Sequence, residues 1–417
     1  MRAALIGPVP PHLGGATPGG VATHQVHLAA GLAAAGIDAP LLATNACVSL
    51  QAWRAVPGEA DFPLYRLARP GRTRRDYLAA VGLYRTARYA TYLAMRPPAG
   101  SRREVLANLL WYRAFLAEVQ PDVIHVQHPL ERCSYVRMVQ QLEGWQRPLI
   151  VTAHSLFGEH DAATIETRMA PNLRAADRVI AVSGHIADQA VQLGVDRGRV
   201  RVIRSGIDAA RFQPRDRAAA RHALGIDQAT RLVLFVGNLE PRKQVDVLIQ
   251  AMVEVRRRIP AAELVIVGSG ESAGVLDQSE ALLRLTRNLD LLAAVRFTGR
   301  VEDQRLLDFY AAADVFALPS SSEAQGIVAL EAMACGLPVV ATAVGGLLET
   351  IDDGRTGHLV PSGDVAALAK GILALLENEP NRRAIAAAAR QAVEQDFSWA
   401  KAVAATIEVY RDVLECR

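Results

Sequence analysis

Ser320-Ser321-Ser322-Glu323-Ala324-Gln325-Gly326-Ile327-Val328-Ala329-Leu330-Glu331-Ala332-Met333-Ala334-Cys335-Gly336-Leu337-Pro338-Val339-Val340 runs from a polar loop into an apolar helix and out into a strand. Before it, residues 315–319 read as a short apolar strand ending at Pro319. The helix begins near Gly326 and stops at Gly336, glycine being a common residue just past a helix end. Strand, loop, helix and strand in this order build a parallel α/β sheet.

The same stretch carries chemistry. Backbone N–H groups of residues 326–328 open a helix and lack intrahelical partners. With the helix dipole they form an anion site suited to a diphosphate, and Gly326 lets a ligand approach the backbone closely. Glu323 lies in the loop and Glu331 one to two turns into the helix, so both can face one ligand. A carboxylate accepts two hydrogen bonds from vicinal hydroxyls, which a ribose and a hexose both offer. Taken alone, such a glutamate pair equally well caps or decorates a helix.

Working outward, the strand–helix alternation fills most of the chain. Strands are expected at Ala3–Gly7, 39–44, Val123–Gln127, Leu149–Ala153, 179–183 and 200–204. A Ser-Gly-Ile-Asp turn follows at 205–208. The pattern restarts with strands at 232–237, 264–268, 295–298, 315–319 and Val339–Thr342, with amphipathic segments such as 245–259 and 306–312 between them. The fold class is therefore α/β, with two doubly wound domains facing each other across a cleft, and ligands bind such sheets at the carboxyl ends of the strands. The 417 residues suit two domains, and 51% apolar residues suffice for two cores.

Composition excludes several classes. A formal net charge of +3 lacks the dominant basic surface of a dedicated nucleic-acid binder. Cys47, Cys133, Cys335 and Cys416 are far apart, without metal-ligand spacing or a disulfide framework, as in a reduced cytoplasmic protein. Met1 and Arg2 lead directly into an apolar run too short for a signal peptide, and no stretch approaches the roughly 20 apolar residues of a membrane span. Residues 66–113 break the alternation with Arg66, Arg69, Arg72, Arg74, Arg75, Arg85, Arg88, Arg96, Arg102, Arg103 and Arg113, interleaved with Tyr77, Tyr84, Tyr89, Tyr92, Trp111 and Tyr112. Two or three helices are expected there. They present solvated faces, peripheral contact with an anionic membrane at its inner face, or a site for an anionic acceptor.

Glu323-x7-Glu331, the Glu331-to-Val340 tail and the preceding Ala313-Asp314-Val315-Phe316-Ala317-Leu318-Pro319-Ser320 resemble glycosyltransferase family 4. So do 295–299, 264–268 and Phe397-Ser398-Trp399 leading to Tyr410. The resemblance covers nearly the whole chain. It implies a GT-B fold of two Rossmann-like domains, with a C-terminal helix near 399–414 crossing back to the first domain. The first, acceptor-side domain would hold residues 1–206 and 398–417. The second, nucleotide-sugar-binding domain would hold 207–397.

The resemblance also implies roles. Glu331 would bind the ribose hydroxyls and Glu323 the donor sugar near its C3 hydroxyl. The backbone of Gly326, Ile327 and Val328 would hold phosphate and sugar. In Phe235-Val236-Gly237-Asn238-Leu239-Glu240-Pro241-Arg242-Lys243 the family usually places an arginine after the glycine and a lysine five positions later. Lys243 matches the lysine. Asn238 stands where the arginine is expected, and Arg242 is the candidate replacement cation. Cations here would hold the charge of a leaving diphosphate. His154 ends a strand where the family has a histidine beside the reacting sugar. His125 reads as a packed residue, whereas His128 lies nearer its strand end and can line the cleft. Gly19 and Gly20 match the glycine pair opening the first helix, beside diphosphate and acceptor, and His24 lies one turn on. Gly268 borders the nucleotide, and Val301 the base. Val267-Gly268-Ser269-Gly270-Glu271 lacks the third glycine of a dinucleotide fingerprint, so NAD binding is not expected.

The implied activity is transfer of a hexose-type sugar from a nucleotide diphosphate, UDP being commonest, to a hydroxyl acceptor with retention. No Asp-x-Asp motif ends a strand, so neither a metal nor another cofactor is expected. A phosphorylase would need greater length and a pyridoxal phosphate lysine. A nucleotide-sugar epimerase and a non-catalytic nucleotide-sugar binder stay open as alternatives. Donor sugar, acceptor and oligomeric state are not legible.

Overall fold

The computed structural model describes residues 1–13, 20–48, 60–68, 89, 91, 102–270 and 277–416. It divides into two compact units, Met1–Ile203 with Ala402–Arg417, and Arg204–Lys401.

The first unit holds the strands β1 (Ala3–Gly7), β2 (Leu41–Val48), β3 (Leu64–Ala68), β4 (Val123–Gln127), β5 (Leu149–Ala153), β6 (Leu156–His160), β7 (Arg178–Ala181) and β8 (Val200–Val202). Seven of them form a sheet ordered β3-β2-β1-β4-β5-β7-β8, with every pair parallel. β1, β4 and β5 are buried along their whole length. Continuous apolar runs rather than alternation are what a sheet covered on both faces requires.

The second unit contains β9 (Arg231–Val236), β10 (Ala262–Val267), β11 (Val295–Gly299), β12 (Val315–Leu318), β13 (Val339–Thr342) and β14 (Gly357–Val360). Their order is β11-β10-β9-β12-β13-β14, again all parallel. One core joins Leu234, Phe235, Ile266, Phe316, Leu330 and Val340. Each sheet reverses its winding once, between β1 and β4 in the first and between β9 and β12 in the second. Loops at the carboxyl ends of the strands beside such a reversal diverge and leave a crevice.

Three strands escape the periodicity reading: β3, β6 and β14. Residue 66 corrects the all-helical expectation for 66–113, because Arg66 lies inside β3. The helix Arg102–Val119 accounts for the end of that segment. The arginines at 69–88 and Arg96 fall outside the described residues, as do Tyr77, Tyr84 and Tyr92. The last helix spans Trp399–Glu415, and its Tyr410 is fully buried in the first unit. Among the described residues no helix is long and apolar enough to cross a membrane.

Candidate active site

In the second unit the crevice at the β9/β12 reversal is framed by 237–243 after β9 and 319–326 after β12. The stretch after β9 closes with the short turn of helix Pro241–Lys243. There the Lys243 ammonium meets the Glu323 carboxylate, Nζ to Oε1, at 2.5 Å. Both residues are only 7% exposed. The Ser320 hydroxyl donates to the same Oε1 at 2.8 Å. Arg242 stands 3.9 Å from Oε2 of Glu323 and pairs with Glu240 at 2.6 Å. Burial works to raise the Glu323 pKa, but Lys243 and then Arg242 outweigh it and hold the group below its ordinary value. Glu323 is therefore ionised at neutral pH.

The loops are tied to one another through the backbone. Ser321 N–H donates to the Arg242 carbonyl at 2.7 Å, and Gly346 N–H to the Glu323 carbonyl at 2.9 Å. The Thr342 hydroxyl donates to the Ser320 carbonyl at 2.5 Å. Gln325 exchanges two 2.9 Å hydrogen bonds with the backbone of Ser205. The loop is thus positioned by strand ends rather than by its own propensity.

The helix that follows is Ile327–Ala334, with Gly326 preceding it at φ +81°. A Cβ at Gly326 would lie 2.4 Å from Leu347 Cδ2. Backbone conformation and space both demand glycine here. Gly326→Ala is expected to cost about 1–3 kcal/mol and to weaken nucleoside diphosphate binding at least fivefold, read by thermal melting and titration calorimetry. Unchanged affinity would remove Gly326 from the site.

Glu331 is the only charged residue of this eight-residue helix, which is otherwise apolar all round. Its Oε2 accepts from the Tyr310 hydroxyl at 2.8 Å. Burial raises the Glu331 pKa from 4.5 to about 7. The Tyr310 hydroxyl, also raised by burial and then by Glu331, stays protonated and able to donate.

The other candidates of this unit have distinct settings. Asn238 is partly exposed just beyond β9. Gly268 has φ +139°, and a Cβ there would lie 1.9 Å from the Gly237 carbonyl oxygen, so it serves close approach of the β9 and β10 ends. Val301 is half-buried against the core. Ile327 and Val328 are partly buried in the first helical turn.

In the first unit His154 follows β5, and its Nε2 lies 2.7 Å from Gln127 Oε1. The His24 ring packs edge-on against it, 4.6 Å between centroids. Burial first, and then His24, push the His154 pKa well below its ordinary value, so the ring is neutral. His24, His125 and His128 are each lowered to about 3, chiefly by burial. His128, just past the end of β4, is buried with φ +82°, and its Nε2 lies 3.3 Å from Ser155 Oγ. Gly20 opens the helix Gly20–Ala34 with open space around it, while Gly19 lies outside the described residues.

Sequence reasoning missed Tyr310, Gln325, Ser320 and Gln127. Ser320 and Gln325 sit inside the decisive stretch, so their polarity amid apolar neighbours was an available signal. Tyr310 and Gln127 had none, because their partners are distant in the chain.

Comparison with known proteins places the chain in a family. The profile described as Glycosyl transferases group 1 matches residues 216–392, and that described as Glycosyltransferase Family 4 matches residues 18–211. A D-inositol 3-phosphate glycosyltransferase of Catenulispora acidiphila is 39% identical over 66% of this chain and 67% of its own. One from Nocardia farcinica is 38% identical over 65% of this chain and 62% of its own, so the match spans about two thirds of these relatives. The chain belongs to glycosyltransferase family 4 and is a glycosyltransferase. Solved structures give the GT-B fold. Sucrose-phosphate synthase of Thermosynechococcus elongatus aligns with TM-score 0.78 at 24% identity, covering 100% of both chains. Anabaena HepE, solved with UDP and glucose, aligns with TM-score 0.77 at 21% identity over 98% of this chain and 99% of that one.

Proposed function

We propose that the chain transfers a hexose-type sugar from a UDP-sugar to a hydroxyl of a phosphorylated cyclitol, with retention at the anomeric carbon and without a divalent metal. The observation that carries the donor half is the buried Lys243–Glu323 pair at the β9/β12 reversal, in the loop that opens the Ile327–Ala334 helix. UDP is favoured because the similar HepE structure contains it, and the acceptor because the curated relatives are named for inositol 3-phosphate. That acceptor is anionic, which favours the acceptor reading of the arginine-rich segment over the membrane one.

The chemistry proceeds through the diphosphate. As the bond from anomeric carbon to phosphate oxygen breaks, negative charge builds on the leaving group. Lys243 and the N–H groups at Gly326, Ile327 and Val328 stabilise that charge. Asn238 and Arg242 are the remaining candidates for the same anion. The departing phosphate oxygen takes the proton of the incoming hydroxyl on the same face of the sugar, so no protein nucleophile is needed. Once the diphosphate occupies Lys243, Glu323 is available to accept from a sugar hydroxyl. Glu331 accepts from the ribose. His154, neutral, is assigned to the reacting sugar. Gly20, Gly268 and Val301 are assigned supporting donor contacts.

The test is incubation with UDP-, GDP- and ADP-sugars and inositol phosphates, with products read by mass spectrometry and anomeric NMR. A glycoside with the donor's anomeric configuration is expected, at a rate that EDTA changes less than twofold. A free epimerised sugar, binding without turnover, an inverted product or abolition by EDTA would each contradict the reading.

A further inference from the structure

The first unit contains a buried relay of side chains that ends on His154. It begins on the C-terminal helix, where Tyr410 Oη lies 2.7 Å from His125 Nδ1. The other ring nitrogen of His125, Nε2, lies 2.7 Å from Thr152 Oγ1 and 3.4 Å from Gln127 Nε2. The far end of the same Gln127 amide, Oε1, lies 2.7 Å from His154 Nε2. Tyr410, His125 and Gln127 are fully buried and Thr152 nearly so. Water is therefore excluded from replacing any member of the chain.

An amide has a fixed sense. Its nitrogen only donates and its oxygen only accepts. With the nitrogen toward His125, the His125 Nε2 must be an acceptor, which it also is toward the Thr152 hydroxyl. The proton of His125 then sits on Nδ1 and is donated to Tyr410 Oη. The Gln127 oxygen, in turn, requires a proton on His154 Nε2. That leaves the lone pair of His154 on Nδ1. A neutral imidazole has two tautomers of similar energy in water, and the partner of one nitrogen decides which is present.

We propose that Gln127 is a positioning residue for His154, holding its ring in the Nε2–H tautomer with Nδ1 as the free acceptor, and that the C-terminal helix contributes to this through Tyr410 and His125. The assignment rests on the reading of His154 as a residue of the transfer reaction. Its consequence is that residue 410, nearly 260 positions from His154 in the chain, acts on the active-site histidine without touching a substrate. Packing explains the arrangement: β4 and β5 lie side by side, with His125 opposite Ile150 and Gln127 opposite Thr152. Gln127 is thereby brought beside the residue pair that ends β5.

The experiment uses the full chain labelled with ¹⁵N-histidine, with His154 assigned by its loss in His154→Asn. Long-range ¹H–¹⁵N correlation at pH 7 is expected to show Nε2 protonated and Nδ1 bare. Gln127→Glu places a carboxylate against Nε2–H and is expected to raise the His154 titration midpoint by about 1–3 pH units, with a parallel shift in the acid limb of the kcat profile. Gln127→Met is expected to mix the tautomers and to lower kcat about tenfold, with donor KM within threefold and an unchanged melting midpoint as the folding control. An Nδ1–H tautomer in the unsubstituted protein, an unmoved titration in Gln127→Glu or an unchanged kcat in Gln127→Met would each overturn the assignment. Absence of transfer by the unsubstituted protein with every donor would instead overturn the reading beneath it, and the tautomer result would stand apart from that failure.

Discussion

Replacing Lys243 by alanine is expected to lower the transfer rate constant by roughly 10²–10³-fold. The ammonium is the only lysine at this crevice and is 2.5 Å from Glu323. Without it, charge on the leaving diphosphate would be met by backbone dipoles and by Arg242, which is already paired with Glu240. The substitution has a second effect, on the resting protein. Glu323 would remain buried, with the Ser320 hydroxyl at 2.8 Å and Arg242 only at 3.9 Å. Removing one partner of a buried pair costs about 3–5 kcal/mol, so a fall in melting temperature should accompany the fall in rate. The two effects separate in Lys243→Met combined with Glu323→Gln. That variant removes both charges, should recover most of the lost stability, and should recover none of the transfer. Wild-type rates in Lys243→Ala would remove the lysine from the mechanism.

Glu331→Gln is expected to make the unliganded protein more stable at pH 8 while weakening nucleotide binding at least tenfold. The sign follows from proton linkage. The folded carboxyl has its pKa raised from 4.5 to about 7, so the folded chain binds a proton that the unfolded chain has lost between those values. This group's contribution is most favourable below pH 4.5 and is lost as pH rises through about 7. The gap between 4.5 and about 7 sets an upper bound of roughly 3–4 kcal/mol, and the partial exposure of Glu331 leaves about 1–3 kcal/mol of it. Glutamine keeps the hydrogen bond from Tyr310 and removes the buried charge. Melting should therefore rise by several degrees at pH 8 and little at pH 5. The loss of binding is expected at the ribose proposed for Glu331, since an amide has only one acceptor oxygen where the carboxylate has two. A variant that melts as the parent does at pH 8, or binds UDP as tightly, would contradict this account of Glu331.

The stretch 320–340 was legible because three signals coincide there: an apolar strand, a glycine at a helix start and acidic residues isolated among apolar ones. Both sheets followed from continuous apolar runs of four to six residues, as in β9 and β10. β14 was missed because Gly357-His358-Leu359-Val360 is short and half polar, and it becomes a strand only by pairing with β13. β3 was missed because Arg66 breaks its apolar run, while the strand itself is held by its register with β2. The surroundings of His128 were likewise not readable locally: a positive φ turns the chain after β4 and sets the ring beside Ser155 and His160.

Partners separated by long stretches of chain set the remaining limit. Lys243 and Glu323 are 80 residues apart, and His125 and Tyr410 are 285 apart. Local pattern identifies each residue type, but only the order of strands in a sheet brings such residues together. The loop–helix stretch itself offered Glu323 and Glu331, and resemblance to a family supplied their roles and pointed to Lys243 and His154. Neither supplied Tyr310 or Gln127, whose significance appears only when hydrogen bonds are traced.

The most direct test of the donor site is a crystal structure of the protein with UDP. The diphosphate is expected against the backbone of Gly326–Val328, within hydrogen-bond distance of Lys243 Nζ, with the ribose hydroxyls on Glu331. A nucleotide seated elsewhere, or a Lys243–Glu323 pair unchanged beside an unoccupied helix N-terminus at saturating UDP, would contradict it.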